Sequence, residues 1–205
     1  MKNFIQISDT EEEQVDKIKK WWNSNGKQII AGAVIGLAGV FGWNYYNDYQ
    51  DNQALNARTL YLNYASDSNN VGAYNKLIQE HPSSSYADQA TLLMAKYLFD
   101  AGSYSLALDV IKPLISNQSN IISSTAVLRV ASIYLQLGQH NEALSTLNIE
   151  SGEGFSGLIY NLTGDVYLDL GNSDEAKKYY LLAIENITEN SNLTQLIQIK
   201  LDDLN

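Results

Sequence analysis

Asp165 and Asp169 are the residues whose spacing most invites chemistry: at i and i+4 on a helix they share a face. Paired carboxylates in that register hold a cation or divide acid and base roles. The competing reading is solvated charge, the usual state of carboxylates on an exposed helix of an acidic protein. His81 and His140 are the two histidines, too few for a His-rich metal site. His81 precedes Pro82, as in a loop between helices, and His140 falls in a turn. Cysteine is absent, which removes disulfides, thiolate metal sites and cysteine nucleophiles together. There is no P-loop, G-x-S-x-G elbow or H-E-x-x-H helix. Gly152-Glu153-Gly154 follows no strand and is not a dinucleotide loop. The expectation is a protein without catalytic residues, cofactor, metal or small-molecule substrate.

The elements around these residues set the class. The 205 residues suit one domain and are too few for two large ones. Thirteen Lys and Arg stand against 23 Asp and Glu, a net charge of -10 that opposes nucleic-acid binding. The charge is uneven. Residues 1–47 balance five basic against five acidic side chains, whereas residues 48–205 carry eight basic and eighteen acidic.

Between the two parts, residues 28–47 carry no charge and contain IIAGAVIGLAGVFGW. Twenty residues at a rise of about 1.5 Å match a hydrocarbon core of roughly 30 Å. Trp21 and Trp22 flank one edge, and Trp43, Tyr45 and Tyr46 the other, as interfacial aromatic belts do. A buried core helix is the alternative, but such helices seldom run so far without a charge. No small-x-small cleavage site follows, so the segment reads as an uncleaved signal anchor in a lipid bilayer. Lys17, Lys19, Lys20 and Lys27 crowd its N-terminal side, and the first cation beyond it is Arg58. Positive-inside asymmetry then predicts a single pass with residues 1–27 cytoplasmic, 28–47 spanning and 48–205 across the membrane.

Within the span Gly32 and Gly36 either admit a second helix closely or reflect the general abundance of glycine in membrane helices. Ahead of it, Thr10 and Glu13 make a capping box, and Val15, Ile18 and Trp22 recur at helical spacing before Gly26. These predict a short amphipathic helix ending at Gly26, lying on the leaflet or on a partner.

Three stretches of the acidic part superpose: ADQATLLMAKYLFDAGSYSLALDVI from Ala87, SSTAVLRVASIYLQLGQHNEALSTL from Ser123 and SGLIYNLTGDVYLDLGNSDEAKKYY from Ser156. Gly102, Gly138 and Gly171 mark their turns. Small residues precede the turns at Ala95, Ala131 and Gly164 and follow them at Ala107, Ala143 and Ala176. Large apolar residues recur at Leu98, Tyr134 and Tyr167, then at Ile111, Leu147 and Tyr180. This is the tetratricopeptide pattern: helix, glycine turn, antiparallel helix, with small residues where the axes come closest. Tyr160 alone keeps the early aromatic, the closing proline is missing, and Leu114 and Glu150 replace an expected alanine.

A degenerate copy precedes them, with Tyr61, Tyr64, Ala73 and Leu77 and no turn glycine. Leu193, Leu196, Ile197, Leu201 and Leu204 form the apolar stripe of a capping helix, with Lys200, Asp202 and Asp203 outside it. The fold class is all-α: one N-terminal transmembrane helix, then a tetratricopeptide-like solenoid.

In that geometry the first helices of the repeats line a concave groove. Counting from the small residues assigns Leu92, Lys96, Phe99, Leu128, Ser132, Leu135, Asn161, Asp165 and Leu168 to it. With Asp165 and Asp169 at one end, it suits a partner segment with apolar and some basic side chains. The leucines are equally open to burial as core.

The order of these parts resembles the YfgM family, ancillary subunits of the SecYEG translocon of Gram-negative bacteria. EEEQVDKIKKWWNSNGK, the glycine-rich span ending GWNYY, GEGFSGLIYNLTGDVYLDLGN and LIQIKLDDLN carry the likeness, which covers the full length except residues 67–85. The resemblance implies an inner-membrane protein with a periplasmic repeat domain. It also implies association with the translocon and with a membrane-anchored PpiD-type chaperone, passing exported chains to the periplasmic chaperone network. The alternative is a membrane-anchored scaffold of another envelope complex, such as that of cell division.

Overall fold

A computed structural model describes residues 11–117, 119–152, 154–187 and 192–204. Glu11, Glu12 and Glu13 occupy the first turn of α1 (Glu11–Ser66), where carboxylates complement the positive end of the helix dipole. Thr10, the other half of the expected capping box, lies outside the described residues. The chain divides into two compact units, Met1–Ala54 and Leu55–Asn205.

In the first unit α1 is long and apolar enough to cross a membrane. Ile30, Val34, Ile35, Leu37, Val40 and Phe41 are exposed around it, as a lipid-facing surface requires. The helix does not stop at Gly26, contrary to the sequence reading. Gly26 is buried because the Trp22 indole lies over it: an added Cβ would meet the ring at 3.1 Å. A glycine ends a helix when the backbone turns left-handed, and Gly26 is not among the positive-φ glycines. Here it makes room for a ring one turn earlier.

The second unit begins with the last turns of α1 and continues with α2 (Val71–Glu80), α3 (Ser85–Asp100), α4 (Tyr104–Ile111), α5 (Asn120–Gln136), α6 (His140–Leu147), α7 (Ser156–Asp169), α8 (Ser173–Glu185) and α9 (Asn192–Asp202). The pairs α3–α4, α5–α6 and α7–α8 are the three expected hairpins. Gly102, Gly138 and Gly171 have φ of 72°, 68° and 75°. Each closes its first helix in the same way. Gly102 N–H donates to Phe99 O and Ser103 N–H to Leu98 O, at 2.9 and 2.8 Å. The equivalents at Gly138 and Gly171 repeat this pair of bonds, which caps otherwise orphaned carbonyls.

Ala107, Ala143 and Ala176 are fully buried, as are Ala131, Ile111 and Tyr180. Burying each large side chain contributes roughly 2–3 kcal/mol. The degenerate copy is structured: Tyr64, Ala73 and Leu77 are buried with Ala57, Ala87 and Ala90. Its turn lacks glycine and uses Asn70, whose side chain accepts from Ala73 N–H. Leu114, the misfit in the first repeat, is buried by a 3-10 turn over Lys112–Ser116, which follows α4. Glu150 is exposed beyond the end of α6.

The capping helix α9 packs on α8 with Ile197 and Leu201 buried and Leu193 and Leu204 partly so. Two of its residues depart from expectation: Leu196 is 48% exposed, and Lys200 turns inward. At about 100° per residue, Lys200 lies about 60° from Ile197 around the helix and Leu196 about 100°. The buried face therefore reaches the lysine before the leucine.

Candidate partner-binding groove

Three first helices place the expected groove residues: α3 carries Leu92, Lys96 and Phe99, α5 carries Leu128, Ser132 and Leu135, and α7 carries Asn161, Asp165 and Leu168. The first two sets meet. A pocket of about 120 Å³ lies between α3 and α5, lined by Ala95, Lys96, Phe99, Arg129, Ser132 and Ile133. Its wall is apolar: the Phe99 ring stands 5.2 Å from that of Tyr104, and Ser132 spends its hydroxyl on the Leu128 carbonyl at 2.9 Å. Leu92, Leu128 and Leu135 are half-buried, pack on the main core and are not among the residues lining the pocket. Leu168 is exposed.

The third set is engaged by the chain itself. Lys200 of α9 donates to Asn161 Oδ1 at 3.0 Å and to Asp165 Oδ1 at 2.5 Å. Asp165 Oδ1 also accepts from the Tyr180 hydroxyl at 2.7 Å, and the Lys200 ammonium sits 5.2 Å from the Tyr180 ring centre. Burial, then the hydrogen bond to Asp165 and its charge, push the Tyr180 hydroxyl pKa upward. Asp169, one turn on, pairs with His140 Nε2 at 2.6 Å. The two carboxylates thus serve different partners on different helices rather than sharing a cation. Among the described residues no group of three or more acidic or histidine side chains converges as metal ligands.

Arg129 is the groove residue that sequence counting misses. Its guanidinium donates from Nη1 to the Leu92 carbonyl at 3.0 Å, tying α5 to α3. Desolvation lowers its pKa from the ordinary value, and the nearby Asp100 charge opposes that shift. A signal was present, since Arg129 is the one cation between Lys112 and Lys177. A wider cleft of about 410 Å³ opens beside the short α6, lined by Leu144, Leu147, Tyr160, Tyr167 and Tyr179. Tyr167 and Tyr179 stack there with centroids 5.3 Å apart. Gly32 and Gly36 have nothing within 4 Å of an added Cβ, leaving that stripe of α1 bare.

This architecture has clear relatives. The family model described as a tetratricopeptide repeat-like domain matches residues 19–205. A protein of Aggregatibacter actinomycetemcomitans named ancillary SecYEG translocon subunit is 36% identical over 95% of this chain and 97% of its own length. Its namesakes from Haemophilus influenzae and Escherichia coli are 30% and 25% identical, over 95% and 98% of this chain and 97% and 99% of theirs. The crystal structure of a tetratricopeptide repeat protein from Parabacteroides merdae superposes with a TM-score of 0.56 at 18% identity. That likeness covers 73% of this chain and 60% of that one, and it shows the fold alone. End-to-end similarity at these identities, on a helix long and apolar enough to cross a membrane followed by glycine-turned helical hairpins, places the chain in the family of ancillary SecYEG translocon subunits, with a tetratricopeptide repeat-like domain over residues 19–205.

Proposed function

We propose that this chain is a non-enzymatic, single-pass inner-membrane subunit of the SecYEG translocon whose repeat domain binds other proteins in the periplasm. The observation that carries this reading is the similarity along 95% of the chain to proteins bearing that name. The lysines at positions 17, 19, 20 and 27 favour a cytoplasmic N-terminus, and the acidic repeat domain then faces the periplasm. Gly32 and Gly36 are the positions on the span where a translocon helix approaches most closely, since no side chain intervenes. The groove formed by α3 and α5 is the surface for a PpiD-type chaperone, linking exported chains to the periplasmic chaperone network.

In-cell photo-crosslinking from Gly36 and from Phe99 tests both halves. Adducts with translocon subunits from the first position and with the chaperone from the second are the expected result. Cell-division proteins in place of translocon subunits would instead favour a scaffold of another envelope complex. Recovery of the translocon without any chaperone adduct would remove the chaperone link alone.

A further inference from the structure

The charge around the α3–α5 pocket is opposite to that of the domain that holds it. Residues 48–205 carry eighteen acidic and eight basic side chains, yet two of the six pocket-lining residues, Lys96 and Arg129, are cations. Asp100 is the carboxylate close to both: it pairs with Lys96 at 2.5 Å and acts on Arg129 through its charge. No described carboxylate stands in ion-pair contact with Arg129, whose observed partner is a neutral carbonyl. A guanidinium has five donors in a planar fork suited to carboxylate oxygens, and a partly desolvated one gains from such a partner. At the other end of the groove Asp165 is paired with Lys200, and Asp169 shares a hydrogen bond with His140. Beside the α3–α5 pocket itself the balance is positive, with Lys96 and Arg129 set against Asp100.

We infer that this pocket takes a segment of a partner protein that pairs a large apolar side chain with a side-chain carboxylate next to it. The apolar group fills the space between Phe99 and Ile133, and the carboxylate meets Arg129 with support from Lys96. A volume of about 120 Å³ is near that of a cavity that admits benzene, so a phenylalanine or branched aliphatic side chain fits. This reverses the basic partner expected from Asp165 and Asp169, and it rests on the groove being the binding surface of the proposed function.

The test uses the full chain in detergent micelles and short fluorescent Gly/Ser peptides with a central Glu-Ile-Phe, Gln-Ile-Phe or Lys-Ile-Phe, read by anisotropy. The glutamate peptide should bind best, about tenfold tighter than the lysine peptide, with the gap shrinking as salt rises. Arg129→Gln should abolish that preference and Arg129→Lys retain part of it. Should Arg129→Gln fail to fold, Ser132→Phe, which fills the pocket from a residue bonded to its own helix, should abolish binding of all three peptides. Equal binding of the peptides, a preference for lysine, no binding at all, or indifference to the folded variants overturns the inference. SecYEG co-purification with wild-type protein is measured in parallel. If it succeeds while the peptides fail, only the partner chemistry is wrong; if it fails while the glutamate preference holds, the translocon reading is wrong.

Discussion

Gly164→Ala should destabilise the repeat domain, although alanine is the better helix former. Alanine occupies the equivalent places, Ala95 and Ala131, without penalty, so the outcome depends on the residue opposite. In those repeats the corresponding residue of the second helix is Ile111 or Leu147; here it is Tyr180. A Cβ on Gly164 would lie 2.5 and 2.6 Å from Cε1 and Cδ1 of the Tyr180 ring, whereas carbon atoms rest at about 3.5–4.0 Å. The ring has little freedom to retreat. It is fully buried, its hydroxyl is bonded to Asp165 at 2.7 Å, and Lys200 stacks over its face.

Overpacking of this kind costs up to about 3 kcal/mol, and replacing glycine in a helix returns about 1 kcal/mol. The net loss is about 2 kcal/mol, a fall in melting temperature of roughly 4–8 °C for a domain of this size. Thermal unfolding followed by circular dichroism on the purified chain measures it. Combining Gly164→Ala with Tyr180→Leu recreates the pairing of Ala131 with Leu147, so the double variant should lose clearly less than the sum of the singles. A Gly164→Ala protein as stable as the parent, or strictly additive losses, would refute the steric argument.

Ala143→Leu or Ala176→Leu, each at a fully buried position, should cost roughly 1–3 kcal/mol, seen as a lower melting temperature. The raised pKa of Tyr180 carries a pH signature. Above pH 10.0, the ordinary tyrosine value, the unfolded chain releases this proton while the folded chain keeps it. Stability should therefore decline as pH climbs above about 10, and Tyr180→Phe should flatten that decline in melting curves taken up to about pH 11. Tyr64, raised chiefly by burial, leaves a residual slope. Protease added to spheroplasts should digest the repeat domain and spare the N-terminal segment, with an intact Met1 end; a mature N-terminus near residue 45 would contradict the uncleaved anchor. Phe99→Ser combined with Leu135→Ser should abolish chaperone binding in a folded domain, whereas unfolding would assign both residues to the core.

The span and the hairpins were legible in the sequence because each is written in local periodicity. An uncharged stretch of membrane length needs no tertiary partner to be recognised. Gly102, Gly138 and Gly171 announce their turns because a positive φ depends on the residue that adopts it. Even the degenerate first copy was readable from Tyr64, Ala73 and Leu77, all of them buried. What the sequence left open are the contacts between residues far apart in the chain. Arg129 bonds to the carbonyl of Leu92, His140 to Asp169, and Lys200 to Asp165, across 37, 29 and 35 positions. The exact rotation of α9, which turns Lys200 in and Leu196 out, belongs to the same class. Such contacts depend on how several packed helices set one another's rotation and separation, and periodicity within a single helix carries no term for that. The sequence therefore determined the order of the helical hairpins and their turns; the tertiary structure decided that α3 and α5 enclose a pocket and that Asn161 and Asp165 of α7 are bonded to Lys200.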